Sequence, residues 1–175
     1  MSDYSIIPRH TISVLVENKF GVLTRVAGMF SGRGYNIHSL NVAPSHDPKL
    51  SRMTITVREK ENVLDQIIKE LDKLVDSIEV VDFREGDHIF RELVLMRLRA
   101  DKDTRPAIIE MCDIFRAKIV DVSPDKITVE VTGNESKITK FIALMGDYDI
   151  LDLTRTGKIV LPRADQLRVG QQDKE

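Results

Sequence analysis

An apolar stripe recurs along this chain at a fixed distance. Val22, Leu23, Val26, Ala27 and Phe30 stand at helical spacing, and Ala107, Ile108, Met111, Cys112 and Phe115 repeat them with a constant offset of 85 residues. Such spacing places the apolar positions on one face of an α-helix, and its return at a fixed period is what duplication of one supersecondary unit produces. In a chain of 175 residues that leaves two small units, each able to bury a modest core of its own.

Each stripe lies within the same succession of patterns. Ile12, Val14 and Val16 alternate with polar neighbours as a half-buried strand does. The first helix follows, ended by Gly32 and Gly34, and then come a strand over 35–43, a turn-rich loop over 44–49, and a strand with Met53, Ile55 and Val57 inward. Asn62 is placed to cap a second helix with the stripe Val63, Leu64, Ile67, Ile68, Leu71 and Val75, before a strand through Ile78, Val80 and Phe83. Near Gly86 the order restarts, with a strand over 93–98 and a helix opened by Thr104, Arg105 and Pro106. A strand over 119–122 and another with Ile127, Val129 and Val131 inward come next. A helix carrying Ile138, Phe141, Ile142 and Met145 and a closing strand over 150–160 complete the unit.

The predicted fold class is α+β, with two ferredoxin-like βαββαβ units over 1–85 and 86–162 and a polar, mobile tail over 163–175 relieved only by Leu167 and Val169. Each unit should form a four-stranded antiparallel sheet with both helices on one face. Alternation leaves Thr and Ser on much of the other face, so pairing of protomers, face to face or edge to edge, is expected.

Charge and composition narrow the function. Formal net charge is −2, pI is near 6.1, and the two signs are interspersed, so no basic face points to nucleic acid or to an anionic membrane. Apolar runs fall far short of the roughly 20 residues a bilayer span needs. The first residues lack a basic segment followed by an apolar one, so a cytoplasmic protein is expected. The lone Cys112 reads as a core thiol. His10, His38, His46 and His88 lack ligand spacing, and no intrinsic metal is expected.

Chemistry concentrates where the first strand meets the first helix, at Asn18, Lys19, Phe20, Gly21 and Val22. Unpaired amides at a helix N-terminus attract anions, and Gly21, lacking a Cβ, would let a carboxylate approach its backbone closely. The same residues equally make a simple turn, and spacing alone does not decide. Asn36, opening the second strand with a donor and an acceptor to offer, carries the same two readings.

The segments Val14-Leu15-Val16-Glu17-Asn18, Gly21-Val22-Leu23-Thr24-Arg25-Val26, Arg33-Gly34-Tyr35-Asn36-Ile37, Ser39-Leu40 and Leu50-Ser51-Arg52-Met53-Thr54-Ile55 resemble the small regulatory subunits of acetolactate synthase. The first half resembles their ACT domain. The second half, through Ile114-Phe115-Arg116-Ala117-Lys118-Ile119-Val120-Asp121-Val122, resembles their C-terminal domain. The resemblance implies a protein with no catalytic activity of its own, which activates a thiamine-diphosphate-dependent large subunit and confers feedback inhibition by valine in branched-chain amino acid and isoleucine biosynthesis. The partner's reaction would join two pyruvates into 2-acetolactate and carbon dioxide. Thiamine diphosphate, magnesium and FAD would belong to that partner, and no cofactor to this chain.

It further implies a homodimer through ACT domains, with valine held between the first loop of one copy and the second strand of the other; leucine and isoleucine are the alternatives. The implied effector residues are Asn18, Lys19, Phe20, Gly21, Val22 and Leu23 from one copy, and Asn36 and Ile37 from the other. The repeat sets Pro106 opposite Gly21, removing an amide, so no second valine site is expected in the other unit.

Other readings of a βαββαβ chain fit less well. RNA-binding sheets stack bases on aromatics, and 50–57 has none; the acylphosphatase loop needs an Arg, where 18–22 offers only Lys19. A thiamine-binding Gly-Asp-Gly motif is absent, with only Gly86-Asp87-His88 near it. An ACT regulator acting on DNA would need a basic element, and Arg25, Arg33 and Arg52 are too dispersed to form one.

Overall fold

The computed structural model describes residues 8–85 and 87–164. Gly86 and most of the expected tail, including Leu167 and Val169, lie outside the described residues. Two compact units are present, the chain dividing after Ile89 and again after Ile159. The architecture is α+β, with the βαββαβ order in each.

In the first unit, β1 (Arg9–Glu17), α1 (Val22–Arg33), β2 (Ile37–Pro44), β3 (Leu50–Arg58), α2 (Glu61–Asp72) and β4 (Ser77–Asp82) build a sheet of order β2-β3-β1-β4. Neighbouring strands are antiparallel throughout. Ile12, Val14 and Val16 on β1 and Met53, Ile55 and Val57 on β3 form one buried cluster with Val22, Val26 and Phe30 of α1 and Leu64, Ile67 and Leu71 of α2. Both helices therefore cover the same face. Burial of each large apolar side chain there contributes about 1.5–3 kcal/mol.

Local details differ from the pattern reading. Gly32 lies inside α1, and Gly34 alone ends it, in the left-handed region at φ 72 with its N–H directed to Phe30 and Ser31 carbonyls. Asn62 is inside α2, whose N-cap is Lys60 without a side-chain cap bond. Val75 is 96% exposed, because α2 stops at Asp72 and Leu74 packs against the core in its place. The alternate residues Thr11, Ser13, Thr54 and Thr56 are buried although their face carries no helix. Part of the cover is local: Arg52 donates through Nη1 to Ser13 Oγ at 2.9 Å and lies 3.4 Å from Glu79 Oε2, so its long side chain crosses the small ones.

The second unit repeats the plan with β5 (His88–Arg99), α3 (Arg105–Phe115), β6 (Lys118–Val122), β7 (Lys126–Gly133), α4 (Glu135–Met145) and β8 (Ile150–Arg155), in the order β6-β7-β5-β8. Its core joins Val94, Met96, Leu98, Ile127, Val129 and Val131 to Ile108, Cys112, Ile138, Phe141 and Met145. Asn134 caps α4, its side chain accepting from the Lys137 amide at 3.0 Å. The closing strand read over 150–160 is two strands. Gly157, at φ 76, turns the chain between β8 and a short β9 (Ile159–Pro162).

Burial shifts the helical repeat by one position. Val22 and Val26 correspond to the buried Ile108 and Cys112, while Leu23 corresponds to the similarly exposed Ile109. Burial also pushes the Cys112 thiol up to about 11. Among the described residues, no helix is long and apolar enough to cross a membrane, and no group of His, Cys, Asp and Glu side chains could hold a metal ion.

Candidate functional site

Three chain segments meet where β1 ends. The Glu17 amide donates to Asp76 O at 3.0 Å, and the Asn18 amide to Lys49 O at 2.7 Å. The Asn18 side chain adds a bond from Nδ2 to Pro48 O at 2.9 Å. Asn18 thus ties the loop after β1 to the β2–β3 turn, while its Oδ1 accepts no hydrogen bond among the described residues. Lys19 turns back to Glu17, Nζ to Oε2 at 2.7 Å. Phe20 is fully exposed.

Gly21 is the N-cap of α1 at φ 83 and ψ −6, in the left-handed region that a side chain resists. The Arg25 amide donates to Gly21 O at 3.0 Å and closes the first helical turn. Val22 is buried, so only its backbone faces the loop, whereas the Leu23 side chain is partly in solvent. The Val22 amide donates to Lys19 O at 3.4 Å, the amides that follow it in the first turn of α1 have no intrahelical acceptor, and no acidic side chain stands in that turn to offset the positive end of the helix. A carboxylate is the chemical group this arrangement accommodates.

Asn36 and Ile37 lie elsewhere. Tyr35 packs edge-on against Phe30 at 6.3 Å, and the exposed Asn36 follows it immediately before β2. Ile37 is in register with Val57, which pairs with His10 near the start of β1. Glu17, by contrast, pairs with Leu50 at the far end. The two groups of candidate residues therefore sit at opposite ends of one sheet, separated by about 23 Å of strand at roughly 3.3 Å per residue. A single chain does not bring them together around a small molecule. β2 is the edge strand of its sheet, the position at which another strand can add.

Two residues absent from the pattern reading join the loop. Arg25 donates from Nε to Asp76 Oδ2 at 2.6 Å, and its Nη1 is 3.1 Å from where a Cβ on Gly21 would stand. The pair holds the Asp76 carboxyl below the ordinary carboxylate range, chiefly through that hydrogen bond, and raises Arg25 further. One signal was in the sequence: helical side chains lean toward the N-terminus, so a residue four after Gly21 reaches back over it.

The matching loop of the second unit is filled by its own groups. Asp101 Oδ1 accepts from the amides of Asp103 and Thr104 and from the Thr104 hydroxyl, at 2.8–3.0 Å. Those bonds, the Thr104 amide first, hold the Asp101 carboxyl below its ordinary range. Arg105 Nη2 lies 2.7–2.8 Å from the carbonyls of Ala100, Ser123 and Pro124.

Comparison with known proteins identifies the family. A family model described as an AHAS small subunit-like ACT domain matches residues 12–79, and one described as the small subunit of acetolactate synthase matches 91–164. A probable acetolactate synthase small subunit of Archaeoglobus fulgidus is 49% identical over 158 residues, covering 90% of this chain and 99% of that protein. The isozyme 3 small subunit of Escherichia coli is 44% identical, covering 91% and 98%. A crystal structure of the Thermotoga maritima small subunit superposes with a TM-score of 0.82 at 38% identity, covering 90% of this chain and 98% of that one.

Proposed function

The chain belongs to the acetolactate synthase small-subunit family, and from that premise we propose that it is a regulatory subunit that activates a catalytic large subunit and makes it responsive to valine. The large subunit would carry the thiamine diphosphate, magnesium and FAD and perform the condensation of two pyruvates, in the cytoplasm. The first domain, over 1–85, senses the effector, and the second, over 86–162, couples it to the partner.

The effector site is shared between two copies. Asn18, Lys19, Phe20, Gly21, Val22 and Leu23 of one copy surround the ligand's carboxylate, and Asn36 and Ile37 of a second copy complete the pocket. One observation carries this reading. The two residue groups are a full strand length apart within one chain, yet β2, which begins with Ile37, runs along the sheet edge. Antiparallel addition of a second copy's β2 reverses its direction and brings that copy's Asn36 toward the first copy's loop. Regulation then consists of valine stabilising one arrangement of the complex over another.

Reconstitution with a large subunit is the test. Pyruvate turnover by the large subunit should rise on addition of the chain and fall on addition of valine. Pyruvate conversion by the chain alone, or valine that binds without changing turnover, would contradict the proposal.

A further inference from the structure

A zwitterionic amino acid bound at Gly21 presents a carboxylate, and two basic side chains stand near that loop. Lys19 is engaged with Glu17. Arg25 differs because Asp76 accepts from Nε alone, and Asp76 is its one hydrogen-bond partner among the described residues. A guanidinium has five N–H donors in a rigid fork, so its Nη groups keep donors to offer.

The anchor beneath Arg25 is firm. The Asp76 side chain is 12% exposed against 50% for Arg25, and its backbone carbonyl is bound by the Glu17 amide at the end of β1. Arg25 is therefore held by one edge while Nη1 projects over Gly21, 3.1 Å from where a Cβ would stand. Glycine at that position leaves the guanidinium edge uncovered.

We propose that Arg25, held in place by Asp76, binds the carboxylate of the amino-acid effector above Gly21 and so gives the site its preference for a free amino acid over the corresponding neutral amide. The inference rests on the effector site proposed at this loop and assigns the charge selectivity of that site. Arg25 would touch the ligand; Asp76 would act as a positioning residue. A charge-assisted hydrogen bond of this type corresponds to about tenfold to a hundredfold in affinity.

The experiment is calorimetric titration of the full-length chain with valine and with valinamide, for the parent, Arg25→Gln, Arg25→Lys and Asp76→Asn, with thermal melts alongside. The parent should prefer valine. Arg25→Gln should weaken valine by about tenfold to a hundredfold while leaving valinamide as tight or tighter, since the amide carries only a positive charge. Arg25→Lys should recover part of the preference, and Asp76→Asn should reduce it without abolishing it. Parental valine affinity in Arg25→Gln would overturn the proposal. Equal loss of both ligands in Arg25→Gln and Arg25→Lys would overturn it too, by showing a structural role. A parent chain that binds neither ligand would refute the effector site itself, a result distinct from either of those.

Discussion

Replacing Gly21 by Asp puts a carboxylate where the effector's own carboxylate is proposed to rest. Two opposing effects follow from the geometry. Gly21 is left-handed at φ 83, so any side chain costs roughly 1–2 kcal/mol of backbone strain, with Asp among the better tolerated residues. Its Cβ would stand 3.1 Å from Arg25 Nη1, which places the new carboxylate within reach of the guanidinium and at the positive end of α1, so the fold should persist. For valine the consequence is severe. Two carboxylates about 4 Å apart at an effective dielectric near 20 repel by on the order of 4 kcal/mol, roughly three decades in affinity, and the new side chain also occupies Arg25. The assay is turnover of the reconstituted complex across a valine titration, with circular dichroism to confirm folding. Gly21→Asp should activate the large subunit as the parent does and resist valine. Gly21→Ala, which carries the strain and a methyl group 3.1 Å from Arg25 Nη1 without the charge, should lose part of the valine response but far less than Gly21→Asp. Unchanged inhibition in Gly21→Asp, or equal resistance in Gly21→Ala, would refute the electrostatic reasoning.

Asn36→Ala should weaken valine binding about tenfold to a hundredfold with an unchanged melting temperature, and equal affinity by calorimetry would make Asn36 a turn residue only. Asp76 has a lowered pKa in the folded chain, so its stabilising contribution is present above the unfolded value near 4 and is lost as pH falls through the lower folded value. The melting-temperature gap between parent and Asp76→Asn should therefore shrink below about pH 4, and a constant gap down to pH 2 would count against the pairing with Arg25. Cys112, buried and with its thiol raised to about 11, should resist thiol reagents at pH 8 in the folded chain and react readily in denaturant; rapid native labelling would show that the second core opens.

The fold was legible because its signals are local. Alternation at Ile12, Val14 and Val16 and helical spacing at Val22, Val26 and Phe30 report the face each residue buries, and those faces form one core. Misreadings fell where local signals compete. Asn62 is a good cap by residue type, but the chain already turns helical at Glu61, and Val75 continues a stripe beyond the end of its helix. The turn at Gly157 was hidden in a run of strand-forming residues. Gly21 was readable from its place between strand and helix. The Arg25–Asp76 pair was not, because its partners are 51 residues apart and meet only through the pairing of β1 with β4. The distance between Gly21 and Asn36 likewise emerges only from strand order and register.

A site divided between two copies has a consequence that no single-chain site shares. Chains carrying Gly21→Asp and chains carrying Asn36→Ala each spoil every site in their own homodimers. In a two-fold heterodimer both lesions fall in the same pocket, and the other pocket receives an intact loop from one copy and an intact Asn36 from the other. The most direct measurement is calorimetric valine binding to heterodimers isolated through two different affinity tags. The expected result is one valine bound per heterodimer at parental affinity, with neither mutant homodimer binding at that concentration. Heterodimers that bind no better than the two mutant homodimers would place the whole site within one chain and contradict the shared pocket.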